Sequence, residues 1–196
     1  MLALTGCQTG EEEKAAPDEK KQEENSQEEL LSGKHHAEIA IKDYGTIKVE
    51  LDADTAPVTV TNFIGLANDG FYNGLTFHRI ISGFMIQGGD PQGNGMGGSD
   101  KTIKGEFSAN GVENGISHER GVISMARSQD YDSASSQFFI MHEDADSLDG
   151  EYAAFGHVTE GIEIVDKICE DTAVEDNNGT VLAENQPVIE TVKVID

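Results

Sequence analysis

Arg79 stands in a stretch of the chain where a charge is out of place. From Phe77 to Ile86 the residues run Phe-His-Arg-Ile-Ile-Ser-Gly-Phe-Met-Ile, broken only by Ser82-Gly83. A guanidinium cannot shed its proton, so in apolar surroundings it must be paired or must await a ligand oxygen. Two short strands joined by a tight turn at Ser82-Gly83 would alternate, with Phe77, Arg79 and Ile81 on one side and His78 and Ile80 on the other. The guanidinium then lies beside aromatic neighbours. The alternative is an arginine that snorkels at a sheet edge with its head in water.

Downstream, Ser135-Ser136-Gln137-Phe138-Phe139-Ile140 repeats the theme of an amide beside two phenylalanines on a strand. Other arrangements that could carry chemistry are weaker. Gly93-Asn94-Gly95-Met96-Gly97-Gly98 satisfies GxGxxG, but no helix pattern follows and the surroundings are acidic, so a surface loop is expected rather than a dinucleotide site. The run Asp144 to Gly150 begins like a calcium loop, yet Leu148 stands where an oxygen ligand belongs and the closing glutamate is missing. The histidines, at 35, 36, 78, 118, 142 and 157, form neither HxxxH nor HExxH, so no metal is expected.

Four ordered segments, FHRIISGFMIQGGD, GVISMAR, SASSQFFIM and LDGEYAAFGHV, resemble the cyclophilin-type peptidyl-prolyl cis-trans isomerases, and the resemblance covers residues 37–196. It implies rotation about Xaa-Pro bonds in proline-containing polypeptides, with no cofactor. That reaction needs neither nucleophile nor metal. Its barrier of about 18–20 kcal/mol arises from amide conjugation, while the two isomers differ by only ~0.5–1 kcal/mol. A fixed cation that hydrogen-bonds the proline carbonyl or the localised nitrogen lone pair favours the twisted state. By resemblance, Arg79 matches the catalytic arginine. Phe84, Met85, Phe139 and Leu148 match the wall of a proline pocket, with Tyr152 covering it. Gln87 and Gln137 match the amides that bind peptide backbone and steady the arginine. Ala126 and Arg127 match the segment that pairs with extended substrate, although the family often has asparagine at the position of Arg127. The rival reading is a peptide-binding or chaperone module that uses the same groove without turnover.

Three departures stand out. Ser147 occupies a position where many eukaryotic members carry tryptophan, and the chain has no tryptophan. Tyr152 replaces a frequent histidine. The segment from Gly121 to Gln137 is one residue longer than the common eukaryotic spacing, with Ser128 to Asp132 looping out.

The elements that must position these residues are legible from pattern. Glu38–Lys42 and Thr46–Leu51 alternate in period two around an Asp43-Tyr44-Gly45 turn, giving an antiparallel hairpin. Thr55 is a candidate cap for a helix with Pro57 in its first turn and Val58, Phe63, Ile64 and Leu66 at helical spacing, ended by Asn68-Asp69-Gly70. A second helix begins near Thr159, carries Ile162, Ile164, Val165 and Ile168, and ends before Asp171. The other apolar segments are short, β-branched and separated by Gly, Asn and Asp. Together they predict a mainly β fold, a closed antiparallel barrel with a helix over each end; eight strands is what the resemblance implies.

Outside the domain, Leu4-Thr5-Gly6-Cys7 looks like a bacterial lipobox, although only six residues precede Cys7 and none is basic. Residues 1–7 are therefore expected to be the remnant of a lipoprotein signal, with Cys7 lipidated. Residues 8–36 are rich in Glu, Lys and Gln and are expected to form a disordered tether. A domain outside the cytoplasm, held to the membrane only through that lipid, follows. The formal charge is −24, and residues 37–196 hold 28 acidic against nine basic side chains. Such a surface repels phosphate backbones, which argues against nucleic-acid binding. With Cys7 lipidated, Cys169 is left unpaired, an inert small hydrophobe. A single monomeric domain is expected.

Overall fold

The computed structural model describes residues 29–196. Strand β1 (Lys34–Ile41) pairs antiparallel with β2 (Gly45–Asp52), and alternation sends Ile39, Ile41, Ile47, Val49 and Leu51 to one face, where all are buried. The turn between them uses left-handed backbone at Asp43 (φ 66°) and Gly45 (φ 122°). Pairing begins earlier than expected. Lys34 to His36, assigned to the tether by composition, already lie in β1, and the Lys34 ammonium sits 2.7 Å from the Asp52 carboxylate. Cys7 and the tether as far as residue 28 lie outside the described residues.

Six further strands complete one sheet: β3 (Thr76–Ile81), β4 (Met85–Asp90), β5 (Val122–Met125), β6 (Phe138–Met141), β7 (Ala154–Glu160) and β8 (Ile189–Val194). Their spatial order is β3-β4-β6-β5-β7-β2-β1-β8. The sheet curls into an open half-barrel, which corrects the expected closed barrel. Its edges, β3 and β8, meet only over a short stretch around the bridge between Thr76 and Val188, where Gly74 N–H donates to the Ile189 carbonyl (2.8 Å) and Ile189 N–H to that of Leu75 (2.8 Å). Beyond that bridge the connecting segment takes the free edge of β3: Ile80 N–H donates to the Gly179 carbonyl (2.8 Å) and Val181 N–H to that of His78 (3.1 Å). With those groups occupied, pairing between the two edges ends where Phe77 N–H donates to the Pro187 carbonyl (3.0 Å), and Pro187 itself has no N–H to give.

Helix α1 (Pro57–Asn68) contributes Val60, Phe63, Ile64 and Ala67 to the interior, and α2 (Ile162–Asp171) contributes Ile164, Val165 and Ile168. The latter starts after Gly161 (φ 88°), later than expected, because Thr159 still belongs to β7. Nor does Thr55 cap α1; its hydroxyl donates to Asp52 (2.9 Å) and the cap position falls on Ala56, which has no side-chain acceptor. The buried carboxylate of Glu106 does the capping from a distant loop. It accepts from Val58 N–H (3.0 Å), Thr59 N–H (2.8 Å) and the Thr59 hydroxyl (2.7 Å). Orphan donors of a helix N-terminus need such an acceptor, and the anion also suits the positive end of the dipole.

Strands β5 and β6 are buried at every position and carry near-continuous apolar runs. Ile86, Ile123, Met125, Phe138 and Ile140 join the interior, while Met85, Val122, Phe139 and Met141 form a second cluster on the opposite face with Phe84, Leu148 and Tyr152. Glu106→Ala, which leaves two helix N–H groups and a buried hydroxyl without an acceptor, is expected to cost about 2–3 kcal/mol. Thermal unfolding should register this as a loss of several degrees; an unchanged melting temperature would show that water substitutes for the carboxylate.

Candidate active site

The outer cluster is the floor of the site, and a bulge in β3 aims Arg79 at it. In the register with β4, Phe77 faces Gly88 and Arg79 faces Gln87, so His78 is the extra residue. Alternation is thereby broken. Phe77 and Ile80 both face the interior, while Arg79 and Ile81 face outward, so the expected grouping of Phe77 with Arg79 is corrected. Opposite the bulge only glycine fits, since a Cβ on Gly88 would lie 2.7 Å from the Thr76 carbonyl oxygen and 2.9 Å from the Phe77 ring.

Arg79 is half-buried and held at two of its three nitrogens. Nε donates to the Asn178 carbonyl (2.8 Å) and Nη1 to Gln87 Oε1 (3.1 Å). Among the described residues no carboxylate pairs with it and Nη2 has no acceptor. Gln87 is itself steered, its Nε2 donating to Gln137 Oε1 (2.9 Å). Gln137 in turn donates from Nε2 to the carbonyls of Gly95 (3.1 Å) and Gly97 (2.7 Å). The relay fixes which end of each amide faces which neighbour.

That relay is anchored by the GxGxxG loop. The Asp90 carboxylate accepts from the backbone N–H groups of Gln92 (2.8 Å), Asn94 (3.1 Å) and Gly95 (2.6 Å). Burial pushes the Asp90 carboxyl up, but these amides and that of Gly97 outweigh it and hold the group below the usual carboxylate range. The N–H groups that would cradle a phosphate are therefore spent on an internal anion. Asp90 and Asn178 were not singled out from sequence; Asn178 sits in an Asp-Asn-Asn-Gly-Thr turn that signals only a loop.

Phe84, Met85, Ala126, Phe139, Leu148 and Tyr152 line one cleft of about 710 Å³ with Arg79 and Gln87. Arg127 lines it too, but its guanidinium lies on neighbouring rings. Gln137 faces an adjoining cavity of about 240 Å³, shared with Gln87, Ala126 and Arg127. Ser147 is exposed in the single turn Asp146–Leu148. The Phe139 and Tyr152 rings meet nearly perpendicular (centroids 5.8 Å apart), and Phe139 stacks on His118 (6.0 Å). His118 Nδ1 is 2.9 Å from Asp149 Oδ1 and Nε2 is 3.0 Å from Ser124 Oγ. The arrangement has the makeup of a hydrolytic triad, yet Ser124 is fully buried, so it ties the Leu148 turn to β5. Cys169 lies away from this cleft, its thiol pushed up to about 11 by burial.

Burial lowers the pKa of both His118 and His78, the latter having both ring nitrogens without a partner. In each case burial outweighs a neighbouring aspartate, Asp149 or Asp90, that pulls the other way, and Arg79 adds to the lowering at His78. The unfolded chain takes up these protons near the ordinary histidine value of 6.5, and the folded chain resists until lower pH. The stability from neutral rings is thus complete above that value and is lost as pH falls below it. Urea unfolding from about pH 7.5 to about 5.5 should show a steeper acid decline in the parent protein than in His78→Leu. Equal slopes would contradict a neutral, buried His78.

The model of the family described as cyclophilin type peptidyl-prolyl cis-trans isomerase/CLD matches residues 36–194. Peptidyl-prolyl cis-trans isomerase B of Bacillus subtilis (strain 168) is 44% identical over 144 residues, 74% of this chain and 92% of the relative. A peptidyl-prolyl cis-trans isomerase of Helicobacter pylori (strain ATCC 700392 / 26695) is 46% identical over 133 residues, 67% of this chain and 78% of the relative. A cyclophilin-type isomerase of Cryptosporidium parvum superposes with a TM-score of 0.73 at 29% identity, spanning 84% of this chain and 99% of that one. With the bulged arginine, its amide relay and the apolar cleft in place, the chain belongs to the cyclophilin-type peptidyl-prolyl cis-trans isomerases.

Proposed function

We propose that Arg79 is the catalytic group of this isomerase and that the outer cluster is its proline pocket. The observation that carries the reading is a guanidinium fixed through Nε and Nη1 with Nη2 left unengaged at an apolar cleft. Phe84, Met85, Phe139 and Leu148 grip the pyrrolidine ring, and Tyr152 covers it. Gln87 and Gln137 bind peptide backbone while steadying the arginine, and the Ala126 strand end pairs with the extended chain. Nη2 then hydrogen-bonds the proline carbonyl, or the nitrogen lone pair that becomes localised as the bond twists. That contact is stronger in the twisted state than in either planar one, so it lowers the barrier rather than merely tightening binding. No atom is transferred, so no cofactor is called for. The substrates are proline-containing polypeptides. A Cryptosporidium parvum neighbour crystallised in the presence of the dipeptide Ala-Pro supports that class, at a TM-score of 0.72 and 30% identity over 82% of this chain and 99% of that one.

The same reading places the domain outside the cytoplasm, as a monomer whose membrane attachment is the lipidated Cys7 and whose acidic surface turns away nucleic acid. Support for the anchor is the Leu4-Thr5-Gly6-Cys7 tetrapeptide followed by a Glu- and Lys-rich stretch. Mass spectrometry of the full chain extracted from membranes should find lipid on Cys7, and an unmodified thiol would remove the anchor. For the catalytic role, isomerisation of a proline peptide by the described domain is expected to fall about a hundredfold or more on Arg79→Ala. Comparable rates for both proteins would leave peptide binding without turnover as the better account.

A further inference from the structure

Arg127 stands at the rim of the cleft but offers it little. Its side chain is only 10% exposed, and every guanidinium nitrogen is engaged within the chain. Nε donates to the Glu151 carbonyl (3.0 Å), Nη1 to that of Ser128 (2.9 Å), and Nη2 to the Glu151 carbonyl (2.8 Å), with the Glu151 carboxylate 3.5 Å away. Three aromatic rings surround the cation: Cζ lies 5.0 Å from the centroid of Phe107, 4.8 Å from Tyr131 and 4.7 Å from Tyr152. Tyr131 belongs to the loop after Arg127 and also meets Phe107 edge to face at 5.2 Å. The box thus draws together three separate segments of chain, and one of its rings is the cover of the proposed proline pocket.

We propose that Arg127 is a positioning residue that holds Tyr152 across Phe139, and so sets how tightly the pocket closes on proline. The inference rests on the isomerase reading above. The Tyr152 ring stands nearly perpendicular to Phe139 (84° between planes) and carries the Arg127 guanidinium over its face, so the two contacts together fix the plane of the ring. The backbone around Glu151 is pinned by the same guanidinium, which removes the freedom of the segment that carries Tyr152. Lysine could not substitute. A point charge on a flexible stem lacks both the flat surface for three rings and the fork for two carbonyls. Since the cover touches proline in planar and twisted states alike, its loss weakens both equally and appears in KM rather than in kcat.

The test is a double-mutant cycle read by isomerisation kinetics that resolve kcat from KM. Arg127→Ala and Arg127→Lys are each expected to raise KM about threefold to tenfold with kcat held within about twofold. In a Tyr152→Ala background the same substitutions should add nothing further, because the ring they position is gone. A role confined to fold stability predicts a lower melting temperature with equal kinetic costs in the two backgrounds, and that result would overturn the proposal. Should Arg127→Ala fail to fold, Tyr131→Ala opens the box with the arginine in place. It is expected to raise KM in the parent background alone, and an equal rise in both backgrounds would again overturn it. Absence of turnover in the unsubstituted protein would strike the isomerase mechanism itself, not the place of Arg127 within it.

Discussion

A permanent cation beside apolar side chains is tolerable only if its donors are met, and the surroundings of Arg79 follow from meeting some of them and not others. One acceptor is a carbonyl, Asn178, supplied by the loop that takes over the outer edge of β3. The other is an amide oxygen, Gln87, on the neighbouring strand. Neither carries a charge. A carboxylate would neutralise the guanidinium and remove the attraction for a substrate oxygen, whereas neutral acceptors fix its position and leave its charge intact. The half-barrel is open where that loop lies, so the break in the sheet and the placement of the arginine have one cause.

Rigidity in the site comes from a succession of short polar contacts that begins well away from substrate. Asp90 gathers the amides of a glycine loop; the loop carbonyls orient Gln137; Gln137 orients Gln87; Gln87 orients Arg79. An amide whose ends are both engaged cannot rotate to present the wrong group. His118, with Asp149 and Ser124, does the same for the apolar half of the site, supporting Phe139 from behind and tying down the Leu148 turn. Most of these groups are buried or half-buried, where unpaired polar atoms are costly and so geometry is firmly set.

Much of this could be read from the residues. Period-two alternation located β1 and β2, and the Ser82-Gly83 turn located the β3–β4 hairpin, because exposed turns and one-sided burial leave direct marks in sequence. Of the ten positions carried over from the four ordered motifs, nine line one cleft and Gln137 lies in the adjoining cavity. What escaped has a common character. A bulge shifts faces by one residue without changing composition, so Phe77 and Arg79 parted company unannounced. Glu106 caps a helix from 47 residues away, and no local pattern encodes a partner at that separation. Sheet closure depends on which segment reaches the β3 edge first, a question of tertiary competition. The arginine at position 127 matches a family segment by order, but its surroundings, not its motif, decided where its donors went.

The central claim is that the unengaged Nη2 of Arg79 meets the substrate beside the apolar wall. A crystal structure of this chain with a bound Ala-Pro dipeptide measures it most directly. The account predicts the pyrrolidine ring against Phe84, Met85, Phe139 and Leu148, with Nη2 about 3 Å from the proline carbonyl oxygen or nitrogen. A dipeptide seated in the cleft with its proline away from that wall, and no hydrogen bond from Arg79, would contradict it.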